Sequence, residues 1–159
     1  MADARLTQLM GTDLLVIPPF VADDATPADV RARWTPRTGR VDRSQPHATD
    51  LETVAGRENL AHAIILRLLT PVGALSSLGH ASYGSRLHLL LGERKNSANR
   101  NLCRAYVLEA IGQEPRVEAK VVAFAFDESA ERIDSFAFTL AVQPVAGGDP
   151  VSLGLEVGL

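Results

Sequence analysis

Carboxylates are the most numerous side chains here that can do chemistry, with 19 Asp and Glu among 159 residues. A glycosidase needs two of them facing each other across a cleft, one of them held protonated. Glu58, Glu93, Glu109, Glu114, Glu118, Asp127 and Asp134 are available, but a chain this acidic offers many pairs and none stands in a distinctive setting. They read as solvated or ion-paired surface. His47, His62, His80 and His88 are scattered without HExxH or comparable ligand spacing. His62 falls in a mostly apolar stretch, where a hydrogen-bonded packing role is the reading. Cys103 is the single cysteine, so it forms no internal disulfide and reads as a small buried hydrophobe. Ser76, Ser77 and Ser85 lack the glycines of a nucleophile elbow, and no glycine-rich phosphate loop occurs. The expectation is no catalytic residue, no cofactor and no metal.

One constellation is more pointed. Glu114-Pro115-Arg116 stands where a predicted helix has ended and the first long strand begins. Pro115 disfavours helical geometry at Glu114 and pushes it toward an extended conformation. In an extended chain Glu114 and Arg116 project to the same side, and Arg can engage a carboxylate bidentately. Two readings stay open: an internal corner that pins helix to sheet, or a charged plug that locks into a partner.

The elements that position these residues follow from pattern. Length suits one domain with a real core, and 46% hydrophobic with 22% charged residues is ordinary for a globular chain. A net charge of -3 argues against broad nucleic-acid binding. Met1 to Leu15 has no apolar run fit for a signal peptide, and no stretch nears the roughly twenty apolar residues of a membrane span. Folding in a cytoplasm is expected. Leu14 to Ile17 reads as a brief strand or anchoring segment stopped by Pro18 and Pro19. Residues 1–49 form an N-terminal segment. From Pro18 to Thr49, prolines at 18, 19, 27, 36 and 46 and arginines at 31, 33, 37, 40 and 43 around Trp34 suggest an extended arm. It is either a solvated loop or a docking arm, since Trp and Arg favour interfaces.

Residues 50–159 carry the periodic structure. Gly56 to Leu69 reads as a helix with Leu60, Ala61, Ile64 and Leu68 on one face. Ile65, Leu66 and Leu69 lie off that face, so more than one neighbour should cover it. Arg67 lies beside the stripe and can send its head to water or a carboxylate. A second short helix is predicted from Ser85, as N-cap, to Leu91, and a third from Ser97, as cap, to Ile111 with Gly112 as its stop. Cys103, Tyr106, Val107, Ala110 and Ile111 make its apolar stripe. Val117 to Phe126 begins with Val117, Ala119 and Val121 on one face, and Val122, Phe124 and Phe126 then make the second face apolar, which predicts burial on both sides. Arg132 to Gln143 follows with Phe136, Phe138, Leu140 and Val142 on one face, giving an antiparallel hairpin. In the last segment Val151, Leu153, Leu155, Val157 and Leu159 alternate with Ser152, Gly154, Glu156 and Gly158. As the last strand it is expected at a sheet edge, thinly protected by one charge and no interior proline. The fold class is α+β: an N-terminal arm, then three helices packed on a small antiparallel sheet.

Asp50-Leu51, Gly56-Arg57-Glu58-Asn59-Leu60, Arg67-Leu68-Leu69-Thr70-Pro71, Gly73, Tyr83-Gly84-Ser85-Arg86-Leu87 and Glu114-Pro115-Arg116, with Gly11-Thr12-Asp13-Leu14 before them, occur in an order that resembles the GPW family. Its members are baseplate wedge proteins of contractile phage tails, including one once labelled a lysozyme, and their counterparts in type VI secretion and extracellular contractile injection systems. The likeness spans Gly11 to Leu159, with Pro18 to Thr49 as an insertion. It implies a structural subunit without enzymatic activity, in a large symmetric hetero-oligomer, which links the wedge core to the first sheath ring and initiates sheath assembly. By it, Glu114, Pro115 and Arg116 contact the baseplate wedge core proteins, and the last strand, with Val151, Leu153, Leu155 and Val157, meets the sheath protein. It implies no nucleic acid and no membrane insertion. The chain would be cytoplasmic during assembly and then part of a virion or injection particle. The alternative is a peptidoglycan-degrading, lysozyme-like tail protein, which requires a cleft with a carboxyl of raised pKa.

Overall fold

The computed structural model describes residues 9–17, 31–32, 34–36 and 49–159. The chain divides into two compact units, Met1–Asn59 and Leu60–Leu159. The boundary between these units falls within the helix Gly56–Leu69.

In the first unit short strands pair two by two. β1 (Thr12–Leu14), β2 (Val16–Ile17), β3 (Arg31–Ala32), β4 (Trp34–Pro36), β5 (Thr49–Leu51) and β6 (Thr53–Ala55) form the antiparallel pairs β1–β6, β2–β3 and β4–β5. The brief strand expected at Leu14 to Ile17 is thus split in two at Leu15. Where the expected arm is described, it is no free loop: backbone pairing at Arg31, Ala32 and Trp34–Pro36 ties it to the strands on either side of it. The remaining prolines and arginines of that stretch lie outside the described residues. Gly11, at φ 73, accepts from the amide of Gly56 at 3.3 Å. Asn59, almost wholly buried, donates through Nδ2 to the Met10 carbonyl at 2.9 Å. These contacts join Gly11-Thr12-Asp13-Leu14 to Gly56–Asn59.

Helix α1 (Gly56–Leu69) buries Leu60, Ile64 and Leu68 of the expected face, while Ala61 is only half-buried. Ile65 and Leu66 are half-buried and Leu69 is exposed. Pro71 cannot extend the helix, and Thr70 closes it by donating through both its amide and its hydroxyl to the Leu66 carbonyl. The Leu68 carbonyl is satisfied from outside, by the Ser85 hydroxyl at 2.6 Å.

Two α-helices with complete bounds are present among the described residues, not three. Ser85 to Leu91 forms only a 3-10 turn, Leu87–Leu90, with Arg86 as its N-cap residue. The physical reason is local. The Ser85 amide and carbonyl are engaged with Thr70 and Val72, at 2.8 and 2.9 Å, and its hydroxyl turns to Leu68. Too few residues remain to repay the nucleation of an α-helix. α2 (Ser97–Gly112) is capped by Asn96 and not by Ser97: Asn96 is extended, and its Oδ1 accepts from the Asn99 amide at 2.8 Å. Gly112 lies within the helix, and the stop comes from tightened turns at Gln113 and Glu114 ahead of Pro115. Cys103, Val107, Ala110 and Ile111 are its buried face, and Tyr106 is half-buried.

The sheet is antiparallel in the order β7 (Val117–Phe126), β8 (Ser135–Pro144), β9 (Val151–Gly158). Residues Arg132 to Asp134 belong to the turn and not to β8. Val117 pairs with Pro144 and Val122 with Val142, so five steps along β7 match two along β8. This bulge interrupts the alternation expected from Val117 onward, and the side chains of residues 119–122 lie outside the described ones. Beyond it Phe124 and Phe126 are half-buried while Ala123 and Ala125 are exposed, so this end is covered on one side only, contrary to expectation. Phe136, Phe138, Leu140 and Val142 of β8 are fully buried. The Phe124 ring stacks on Phe138 at 4.8 Å, and α2 packs against β7.

Candidate functional site

The Glu114-Pro115-Arg116 corner is built from three parts of the second unit. Pro115 ends the α2 run, and Glu114 turns inward with a side chain only 4% exposed. Arg116 Nε donates to Glu114 Oε1 at 2.6 Å, and the Arg116 amide points at the same oxygen at 3.4 Å. From α1, Arg67 places its guanidinium 3.5 Å from Glu114 Oε2 and 4.4 Å from the centre of the Tyr83 ring. Of the two partners left open for Arg67, water or a carboxylate, the fold supplies a carboxylate, Glu114. Burial alone pushes the Glu114 carboxyl up, but the hydrogen bond and charge of Arg116, with Arg67 behind, outweigh it and hold the carboxyl below its ordinary range.

The loop that carries Tyr83 is fixed to α1 by close backbone contact. Gly84 has φ 115, and a Cβ there would stand 2.4 Å from the Thr70 carbonyl oxygen, so only glycine fits. Next to it, Arg86 donates through Nε to Glu109 of α2 at 2.9 Å and lies over the Tyr106 ring.

Of the two readings of this corner, the geometry supports the internal one for Glu114. Its carboxylate is consumed between two guanidiniums of its own chain and does not reach outward. Pro115 is exposed, and Arg116 keeps 28% of its side chain exposed, so the outward side of the corner belongs to them.

The second candidate is the edge of β9. Val151, Leu153, Leu155 and Val157 pair with Val142, Leu140, Phe138 and Phe136, so their side chains lie on the core side of the sheet. Val151 is buried and the other three are half-buried. The Leu159 amide donates to the Asp134 carbonyl at 2.7 Å. Antiparallel pairing alternates, so the odd-numbered residues of β9 bond to β8, and Ser152, Gly154, Glu156 and Gly158 turn their N–H and C=O away from it. β8 is the one neighbour of β9 among the described strands.

Pattern reading missed a third cluster, at the β7–β8 turn. The Glu131 side chain, 3% exposed, takes a two-pronged contact from Arg100 at 2.8 and 2.7 Å and a bond from Lys95 at 2.9 Å. Arg100 lies 4.8 and 5.1 Å from the ring centres of Phe126 and Phe136. Burial raises the Glu131 carboxyl, and the bonds from Lys95 and Arg100 bring it below its ordinary range. No spacing in the sequence announces this cluster, because Lys95, Arg100 and Glu131 meet only when the hairpin folds over the start of α2. The Glu114 and Glu131 carboxyls are thus both held below their ordinary range by cations of their own chain.

His62 is buried in α1. Cys103 is buried too, and burial pushes its thiol up to about 12. Among the described residues no group of three His, Cys, Asp or Glu side chains is arranged to hold a metal ion, and no helix is long and apolar enough to cross a membrane. No protein-family model, curated protein or solved structure matches the chain.

Proposed function

We propose that this protein is a structural wedge subunit in the baseplate of a contractile phage tail or related injection machine. It links the wedge core to the first sheath ring and initiates sheath assembly. In this reading it folds in the cytoplasm and enters a large symmetric hetero-oligomer as a component of a virion or injection particle. The outward side of the corner, Pro115 and Arg116, meets the wedge core proteins, and β9 meets the sheath protein.

The observation that carries the reading is convergence. The segments behind the family resemblance are scattered through the sequence, yet their residues interlock: Arg67 on Glu114 and Tyr83, Gly84 on Thr70, Ser85 on Leu68. Residues joined by such contacts constrain one another, so their joint occurrence supports the resemblance more than separate short matches do. The thinly guarded strand edge supports a role in assembly.

The test is co-expression with large baseplate wedge core proteins from the same genome. A stable complex that forms without sheath protein is expected. Arg116→Ala should keep the fold and weaken that complex at least about thirtyfold, from the roughly 2–5 kcal/mol of a desolvated interface charge. Failure to form any complex overturns the proposal. So does clearing of peptidoglycan in a zymogram that disappears on mutating one Glu.

A further inference from the structure

Glu156 is the one charged side chain on β9, and its neighbours orient it. The buried Ser135 hydroxyl donates to Glu156 Oε1 at 2.6 Å. Arg132 Nε stands 3.5 Å from the same oxygen, on a side chain that is 77% exposed. Among the described residues Oε2 takes no bond, and the Glu156 side chain is itself partly open to solvent. A shallow groove on the same face includes Asp127, Ala130, Ala137, Thr139, Gly154 and Glu156 in its lining, and no lysine or arginine. The apolar row on the other face, Leu153, Leu155 and Val157, is only half-buried, so a further strand beside it would continue the core layer.

We propose that Glu156 sets the register of an extended segment of a partner protein added to β9, by pairing with a lysine or arginine on that segment. The residues flanking that basic position are apolar and lie beside Leu155 and Val157. The backbone edge by itself cannot specify this register. A slip of one residue turns every side chain to the wrong face, but a slip of two keeps the faces and the hydrogen bonds. Glu156 is the only mark that tells such registers apart, because Ser152, Gly154 and Gly158 are small and uncharged. A slip of two sets the basic residue opposite Gly154 or Gly158, with no charge to meet. Ser135 is a positioning residue, fixing one carboxylate oxygen so that the other is presented.

The identity of the partner rests on the assembly role assigned to this edge above, but the chemistry can be tested without a baseplate. The probes are two nine-residue peptides alternating Val and Thr, one with a central Lys and its twin with a central Glu. Binding is followed by amide hydrogen exchange in the NMR spectrum of the whole protein. The Lys peptide should slow exchange at Ser152, Gly154, Glu156 and Gly158 and bind about fivefold more tightly than its twin. Glu156→Lys should reverse the preference, Glu156→Gln should abolish it, and Ser135→Ala should narrow it. Equal binding of both peptides by the wild-type protein overturns the inference, as does an unchanged preference in both Glu156 variants. If neither peptide slows those amides while the chain still forms its wedge complex, the inference falls and the proposed function stands. If the peptides discriminate as expected but no wedge complex forms, the proposed function falls and the inference stands.

Discussion

At the Glu114 corner one buried carboxylate is taken up by two guanidiniums of its own chain, whereas along β9 four peptide groups and one carboxylate oxygen face outward. Both regions look alike in the sequence, as a charge or two beside a strand. What separates them is burial. A carboxylate as enclosed as Glu114 must be paired by its own chain, since an isolated buried charge is costly. An edge strand with one neighbour has half its peptide groups unused by that neighbour. A charged motif is therefore no guide to a contact surface until its burial is known.

The largest effect should come from the corner. Glu114→Ala leaves the Arg67 guanidinium, almost wholly buried, without its carboxylate, and a loss of about 3–5 kcal/mol is expected in urea denaturation. Adding Arg67→Met should recover part of it, because the orphaned charge is then gone. A Glu114→Ala protein of unchanged stability would show that the corner is open to solvent after all.

The edge gives a smaller and more asymmetric response. Leu155→Pro removes an amide directed at β8 and should cost roughly 1–3 kcal/mol. Gly154→Pro removes an amide that points away from β8, at a place where an added Cβ meets nothing within 4 Å. Its stability should stay within about 1 kcal/mol of wild type, yet under the assembly role proposed above electron microscopy of assembled particles should find complete baseplates without sheath. Sheathed particles of normal appearance from Gly154→Pro would break the contrast between a consumed corner and an available edge.

Acid should act on the two enclosed carboxylates. Glu114 and Glu131 both sit below the ordinary range, and an unfolded Glu titrates near about 4.3. Just below that value the unfolded chain binds more protons than the native one, so stability rises with pH there. The contribution is complete above about 4.3 and is lost as pH falls through the lower native values. Urea midpoints measured from neutral pH into acid should drop in that window, and Glu131→Gln should flatten the slope. A Glu131→Gln slope equal to wild type would mean that the hairpin-turn cluster does not titrate with folding.

Local pattern alone accounted for much of the second unit. The period of 3.6 marked Leu60, Ile64 and Leu68 and the Cys103, Val107, Ala110 and Ile111 stripe, and the period of two marked Phe136 to Val142 and the faces of β9. Those residues obey the geometry of their own element, so no distant partner was needed to read them. Tertiary contacts decided the rest. Ser85 caps α1 and so shortens the second helix to a 3-10 turn, Asn96 takes the cap expected of Ser97, and a bulge breaks the alternation in β7. Whether Glu114 faces a partner or its own chain depended on Arg67, 47 positions earlier in the sequence, and the Glu131 cluster required a hairpin to close over a helix start. Charges are long-range and carry no period, so a sequence shows that they exist, and only the folded chain shows which ones meet.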